Sequence, residues 1–519
     1  MGGGCCVTGV DYTSSHLTVV PVQEGTEDDA WNAVASCCSG AALSDWGRRI
    51  LRSGLDGHAK TIVVEPHYIC KDYRNIYSHF YSKKFISRSS SCSRLHFFSE
   101  PAIDEGDVIF GFGDLAGSYI GYSVIEPIND RCLGRTVIDP YKIGFSTKSF
   151  HCLRTEFPVH LNGARYSVRG FPYRSQSGEA TLCAQTALWA TCRYLSERYS
   201  AYKEIYPHDL IAMTGDHEGR KTPYRGMGYS DYSSILSQFG CFPALVRPRG
   251  DCQKDDWTRD VDAFYDLYSY MESGFPILTS FGGHVVIIVG HTNATTIDDS
   301  AKTENTGFYN SAWLVNRYVV VDDNFFPFQE LGYRRDSRYY GNHYRELSNL
   351  PSIDGIFAAV VPLPEKAFLP PKHARNYCYS FLNTKEAKSE IDSVRARLGI
   401  SSNDKLVTRT FLTSSVPFKK RKAQIALNYY GHGIDLCSLH PVDLNLPHFI
   451  WVMEISTLSK HIDGFCIGEI VLDASAGAVD CKPIYARIGE SLFREGERGA
   501  DTAQSLLCYK QYSHNLGEH

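Results

Sequence analysis

The chain has 519 residues, 43% of them hydrophobic and 21% charged, with 53 Lys and Arg against 58 Asp and Glu and a formal net charge of −5. That length allows roughly three or four domains. So even a charge balance excludes a disordered polyelectrolyte and gives no overall reason to expect a nucleic-acid or membrane-surface binder. No run approaches the roughly 18 consecutive apolar residues of a membrane span. The opening MGGGCCVTGVDYTSSH has neither the basic stretch nor the apolar run of a secretory signal. Gly2 invites a myristoylation reading, but Cys6 stands where that motif takes Ser or Thr. The expectation is a soluble, cytoplasmic protein without a membrane partner.

In chain order, strand-like runs over 61–65, 107–112, 119–126 and 135–138, parted by Gly, Pro and Ser, predict a mixed α+β N-terminal domain with a small sheet. Pro158, Gly163, Gly170 and Pro172 suggest a boundary near 150–175. A helix is expected over 182–195, with Ala184, Ala187, Leu188, Thr191, Cys192 and Leu195 on one face. A shorter helix over 231–239 follows Ser230 and stops at Gly240. A longer one over 256–272 carries Trp257, Val261, Phe264, Tyr265 and Tyr268 as its apolar stripe, then ends at Gly274 and Pro276.

Strands are expected next over 276–281, 284–290 and 313–321, the last running into Asp322-Asp323-Asn324. Helices first and strands later is an α+β pattern, with a sheet packed on the cysteine-bearing helix. Pro362, Pro364, Pro370 and Pro371 then read as a stiff connector, because such a stretch cannot continue a helix or a central strand. Beyond it come a helix over 384–398 and strands over 449–455 and 465–472. The expected division is therefore 1–165, 166–365 and 366–519.

The 17 cysteines include no CxxC spacing, which argues against structural zinc, and they read as mostly buried, reduced thiols. Cys183 differs by its place at a helix start, where unpaired N–H groups and the helix dipole favour a thiolate. A thiolate attacks carbonyl carbon but needs a partner to protonate the leaving group, a role that suits histidine. His284 opens an apolar strand behind Gly282-Gly283, so its ring can face a cleft while the strand is buried. Imidazole in turn needs an acceptor, and Asp322, Asp323 and Asn324 end the following strand. The Cys183 backbone N–H and the side chain of Gln176 are the expected oxyanion donors, with Gln185 on the helix as the alternative. The site calls for no metal and no cofactor.

The order Gln176, Cys183, His284, Asp322/Asp323 resembles a papain-like cysteine peptidase. It is similar in particular to the bacteriocin-processing, double-glycine-leader peptidase-like branch, through Gly274-Phe275-Pro276-Ile277, Gly283-His284-Val285-Val286 and Val320-Val321-Asp322-Asp323. The resemblance covers about residues 170–365 and implies a papain-like fold, a thiol nucleophile and amide cleavage. Ala184 follows the cysteine where many members carry glycine, and the doubled aspartate leaves the third member of the triad open.

His291 is the rival base, and Cys192 reads as core. Lys419-Lys420-Arg421-Lys422 reads as a solvated face. Pro441 and Pro447 keep His432, His440 and His448 from sharing a helix, and Gly2-Gly3-Gly4 and Gly111-Phe112-Gly113 lack a nucleotide-binding context. The reading is a cysteine peptidase or amidase acting on a peptide or protein, with flanking domains that choose the substrate or bind a regulatory protein. A transglutaminase-like acyltransferase and a catalytically silent scaffold are the alternatives.

Overall fold

The computed structural model describes residues 17–38, 42–101, 103–110, 115–145, 149–179, 181–214, 227–247, 260–281, 284–297, 301, 303, 307–332, 358–429, 444–479, 481, 483–494, 497–500 and 507–516. Gly2, Cys6, Gly111 to Gly113, Trp257, Gly282, Gly283, His432 and His440 lie outside them. The fold is α+β with several largely antiparallel sheets, and it gathers into two compact units. The first comprises Met1–Gly144, Glu156–Ala180 and Tyr206–His208; the second comprises Phe145–Thr155, Thr181–Ile205 and Asp209–His519. No helix among the described residues is long and apolar enough to cross a membrane.

In the first unit, β1 (Thr18–Pro21), β2 (Thr61–Tyr68), β3 (Cys92–Phe98), β4 (Tyr119–Ile125) and β5 (Leu133–Ile138) form an antiparallel meander in chain order. Helices α1 (Glu27–Cys37), α2 (Asp45–Leu55) and α3 (Lys71–His79) bury Trp31, Val34, Leu51, Leu55 and Ile76. The strand expected over 107–112 is instead the helix Glu105–Phe110. The reason is a reciprocal cap: Asp104 Oδ1 accepts the Asp107 N–H at 2.8 Å, and Asp107 Oδ2 accepts the Asp104 N–H at 3.1 Å. The Pro- and Gly-marked stretch near 150–175 contains a hairpin, Thr155–Leu161 with Ala164–Gly170, in which Pro158 takes an exposed position.

The second unit holds the cysteine-bearing helix α4 (Cys183–Arg198), α5 (Tyr229–Phe239) and α6 (Val261–Glu272). Its first sheet uses β6 (Phe150–Cys152), β7 (Ala244–Val246), β8 (Ile277–Phe281), β9 (His284–Asn293), β10 (Val315–Val321), β11 (Gln329–Gly332) and β12 (Ala359–Val361). They lie in the order β11-β10-β9-β8-β12-β7, and β6 also pairs with β9. The run Val285 to Val289 is buried on both faces of β9, with α4 packed on it. Gly290 admits the β6 backbone, since a Cβ there would run into the His151 carbonyl. Gly274 ends α6 at φ +86°, a left-handed position that glycine takes without strain.

The sequence divides the chain near 365, but this unit continues past it. Helices α7 (Pro371–Leu382) and α8 (Lys385–Arg397) and strands β13 (Leu406–Ser414), β14 (Phe449–Thr457), β15 (Gly468–Asp473), β16 (Pro483–Ile488), β17 (Ser491–Arg494) and β18 (Glu497–Ala500) follow. Phe264, Trp313, Trp451 and Met453 lie in one continuous apolar core. The proline-rich connector is part of it: Leu369 is buried, its carbonyl accepts the Trp451 indole N–H at 2.8 Å, and Pro371 opens α7.

A buried ion cluster adds a second tie. Arg409 on β13 bonds Glu272 Oε2 at the end of α6 (2.6 Å), Glu454 Oε2 on β14 (2.8 Å) and the Tyr512 carbonyl (2.7 Å). Burial alone would raise the Glu272 carboxyl, but the Arg409 and His291 partners hold it well below the usual carboxylate range. Removing the guanidinium leaves two acids uncompensated in the interior. Arg409→Met is therefore expected to destabilise the protein by about 3–5 kcal/mol in urea unfolding, and a change indistinguishable from zero contradicts this account of the cluster.

Candidate functional site

Helix α4 begins at Cys183 because Leu182 is extended (φ −110°, ψ 172°) and its N–H is taken by Gln185 Oε1 at 2.8 Å. Thr186 Oγ1 closes the same turn on the Leu182 carbonyl at 3.1 Å. Cys183 is thus the first helical residue and half-buried, while the rest of the helix through Leu195 is buried on all sides. All described cysteines are free, and among them only Cys37, Cys183 and Cys508 are not fully buried. Cys192 lies in the core at 0% exposure.

The sheet register carries the acids to His284. Ile287 on β9 faces Val321 on β10, so the antiparallel path beyond Val321 runs back past the start of β9. There His284 Nε2 lies 2.8 Å from Asp322 Oδ1 and 3.6 Å from Asp323 Oδ1. Asp322 is therefore the hydrogen-bonded acid, and Asp323 adds charge from just beyond hydrogen-bond range. Both carboxylates are buried, at 3% and 5% exposure.

Asn324, expected as an acceptor, is a donor. Its backbone N–H bonds Asp322 Oδ1 at 2.9 Å, and Nδ2 reaches Oδ1 of both aspartates at 3.2 Å. Two carboxylates facing one amide determine which end of it turns towards them. Nδ2 is also 3.2 Å from His284 Nε2, but with the ring N–H directed at Asp322 this is an approach of two donors around one acceptor.

Cys183 is a further neighbour of the His284 ring, and its side chain favours the charged imidazole. Because Nε2 serves Asp322, Nδ1 is the nitrogen left for the thiol. Burial works against a charged ring, but the bond to Asp322, the neighbouring Cys183 side chain and the charges of both aspartates outweigh it, and the imidazole is pushed up to about 11. The structure thus brings together Cys183, His284, Asp322 and Asp323 from a helix start, a strand start and a strand end.

Gln176 and His291 are the other candidates. Gln176 belongs to the first unit, half-buried in a segment without regular structure, whereas Cys183 belongs to the second. His291 is fully buried, its Nε2 2.5 Å from Glu272 Oε1 and its Nδ1 2.8 Å from Asn293 Oδ1, within the Arg409 cluster. A cavity of about 160 Å³ opens beside Cys183, and its wall includes Gln185, Met227, Tyr229, Tyr232, Ser280 and Val285. Burial and the neighbouring Cys183 both push the Tyr232 phenol up. No sequence signal marks Tyr229 or Tyr232, since a Tyr pair three apart on a short helix is an ordinary core pattern.

His284, Asp322 and Asp323 also offer three ligand atoms within 4.8 Å of one another, close enough to hold a metal ion. A cation there would displace the Nε2 proton and the Asn324 amide from the oxygens they occupy. No protein-family model matches the chain, and no curated protein matches it.

The raised His284 pKa sets a stability window. Its folded value, about 11, exceeds the ordinary 6.5, so the stabilisation is whole below pH 6.5 and fades as pH rises through 11. The stability gap between the wild type and His284→Gln is expected to narrow steadily in urea unfolding from pH 6 to pH 10. A gap independent of pH over that range contradicts the charged pair.

Proposed function

We propose that the chain is a cysteine hydrolase that cleaves a peptide or isopeptide-type amide, with a papain-like arrangement of α4 on the β8–β10 sheet. One observation carries the reading: a single imidazole is hydrogen-bonded to a buried carboxylate and has the sulfur at a helix start as a further neighbour. In that geometry His284 holds the proton that the leaving nitrogen needs, beside a sulfur placed to attack.

The Cys183 sulfur attacks the amide carbonyl carbon, and the C=O π pair moves to oxygen. When the pair returns, the C–N bond breaks and the nitrogen takes the His284 proton, leaving a thioester. His284 then removes a proton from water, the hydroxide adds to the thioester carbonyl, and the sulfur leaves with the acid as product. Asp322 keeps the ring oriented through its hydrogen bond to Nε2.

Iodoacetamide labelling with mass-spectrometric site assignment tests the reading. An ordinary thiol, with a pKa of about 8.5, is almost wholly protonated at pH 6. Cys183 is expected to alkylate there at least about tenfold faster than Cys37 and Cys508, an advantage lost in His284→Ala. Equal rates at all three thiols, unchanged by His284→Ala, overturn the proposal.

A further inference from the structure

Gln185 is 2% exposed, and the two ends of its carboxamide have different surroundings. Oε1 is anchored by the Leu182 N–H at 2.8 Å. Nε2 is buried, and among the described residues no group accepts a hydrogen bond from it. Such a donor is costly to leave unmet inside a protein, and native structures seldom do so without a reason.

The side chain lines the same cavity as Cys183. The neighbouring hydroxyls are already engaged: Tyr232 donates to the Met227 carbonyl at 3.0 Å, while Tyr229 meets Ser280 Oγ at 2.5 Å and the Ala358 carbonyl at 3.2 Å. Ala184, Met227 and Val285 make much of the remaining wall apolar. Besides the thiol and the N–H groups of the helix start, then, the described lining residues hold one side-chain donor without an acceptor, among apolar and already-paired side chains. A ligand that fits is apolar and carries one strong acceptor beside the sulfur.

We propose that Gln185 Nε2 donates to the carbonyl oxygen of the acyl group attacked by Cys183, and that the cavity receives an apolar, roughly benzene-sized side chain of that acyl group. The inference rests on the cysteine-hydrolase reading and deepens it. A volume near 160 Å³ matches cavities that admit benzene. Because the backbone holds Oε1, Nε2 is oriented before the substrate arrives, as oxyanion stabilisation requires. The side-chain donor therefore comes from the first turn of the cysteine helix, two residues after the nucleophile.

N-acetyl-phenylalaninal is the probe. The Cys183 sulfur adds to the aldehyde carbon, forming the S–C bond; the π pair goes to oxygen, which takes the His284 proton to give a neutral hemithioacetal. Iodoacetamide alkylation of the same sulfur builds no oxyanion and is the internal reference. Aldehyde affinity, read as protection of Cys183 from alkylation, is expected to fall about 10²-fold in Gln185→Met while the alkylation rate itself holds.

Gln185→Glu keeps the Leu182 cap and loses the donor, so it reports the same loss if the Met variant folds poorly. The glycine aldehyde is expected to bind at least about tenfold more weakly than the phenylalanine one. Wild-type affinity in both variants overturns the donor role, and equal binding of the two aldehydes overturns the assigned side-chain class. If the wild type binds neither aldehyde and Cys183 alkylates as an ordinary thiol, the hydrolase reading falls and takes this inference with it.

Discussion

An imidazole keeps a proton in a half-buried cleft only if negative charge close by outweighs the cost of taking that proton out of water. At His284 the charge comes from Asp322 in hydrogen-bond contact and from Asp323 slightly farther off, with the Cys183 sulfur on the remaining side. The chemistry proposed for this protein depends on that local balance. Without the acids the ring would lose its proton on burial, and the sulfur would lose its proton-bearing neighbour.

Strand β9 shows how the fold maintains the balance. Its two histidines stand near opposite ends, and each meets a carboxylate from a neighbouring element, Asp322 for His284 and Glu272 for His291. The inner pair is locked by Arg409 and fully buried, so it joins the sheet to the later strands of the unit. The outer ring stays 30% exposed along its side chain, open enough to meet a substrate. Between them the run from Val285 to Val289 is packed on both faces, which leaves the strand little freedom to slide and shift the ring from its acid. Asn324 secures the far side by donating to both aspartates, holding two like charges close together.

Much of this was legible in the chain. Glycine punctuation around Gly274, Gly283 and Gly290 bounds the strands, and the apolar run after His284 and the Asp pair after Val321 place imidazole and acid on adjacent strand ends. What was not legible depended on contacts that local pattern does not encode. The turn at Asp104–Asp107 folds as a helix through side-chain caps, against the strand-like alternation that follows it. Which end of the Asn324 amide faces its neighbours is decided by two carboxylates and not by residue type. The joining of the central and C-terminal regions rests partly on Arg409 and Glu272, which are 137 residues apart. The unmet Gln185 amide is visible only once Leu182 is seen to hold its other end.

The protonation state of His284 is the most direct measure of the central claim. With ¹⁵N-labelled histidine and the resonance assigned through its loss in His284→Gln, the ring nitrogens report their protons as pH is raised. The account predicts a ring that remains doubly protonated past pH 9, approaching the value of about 11 set by its neighbours, and that titrates lower in Asp322→Asn. A His284 that loses its proton near the ordinary value of about 6.5, with or without Asp322, contradicts it.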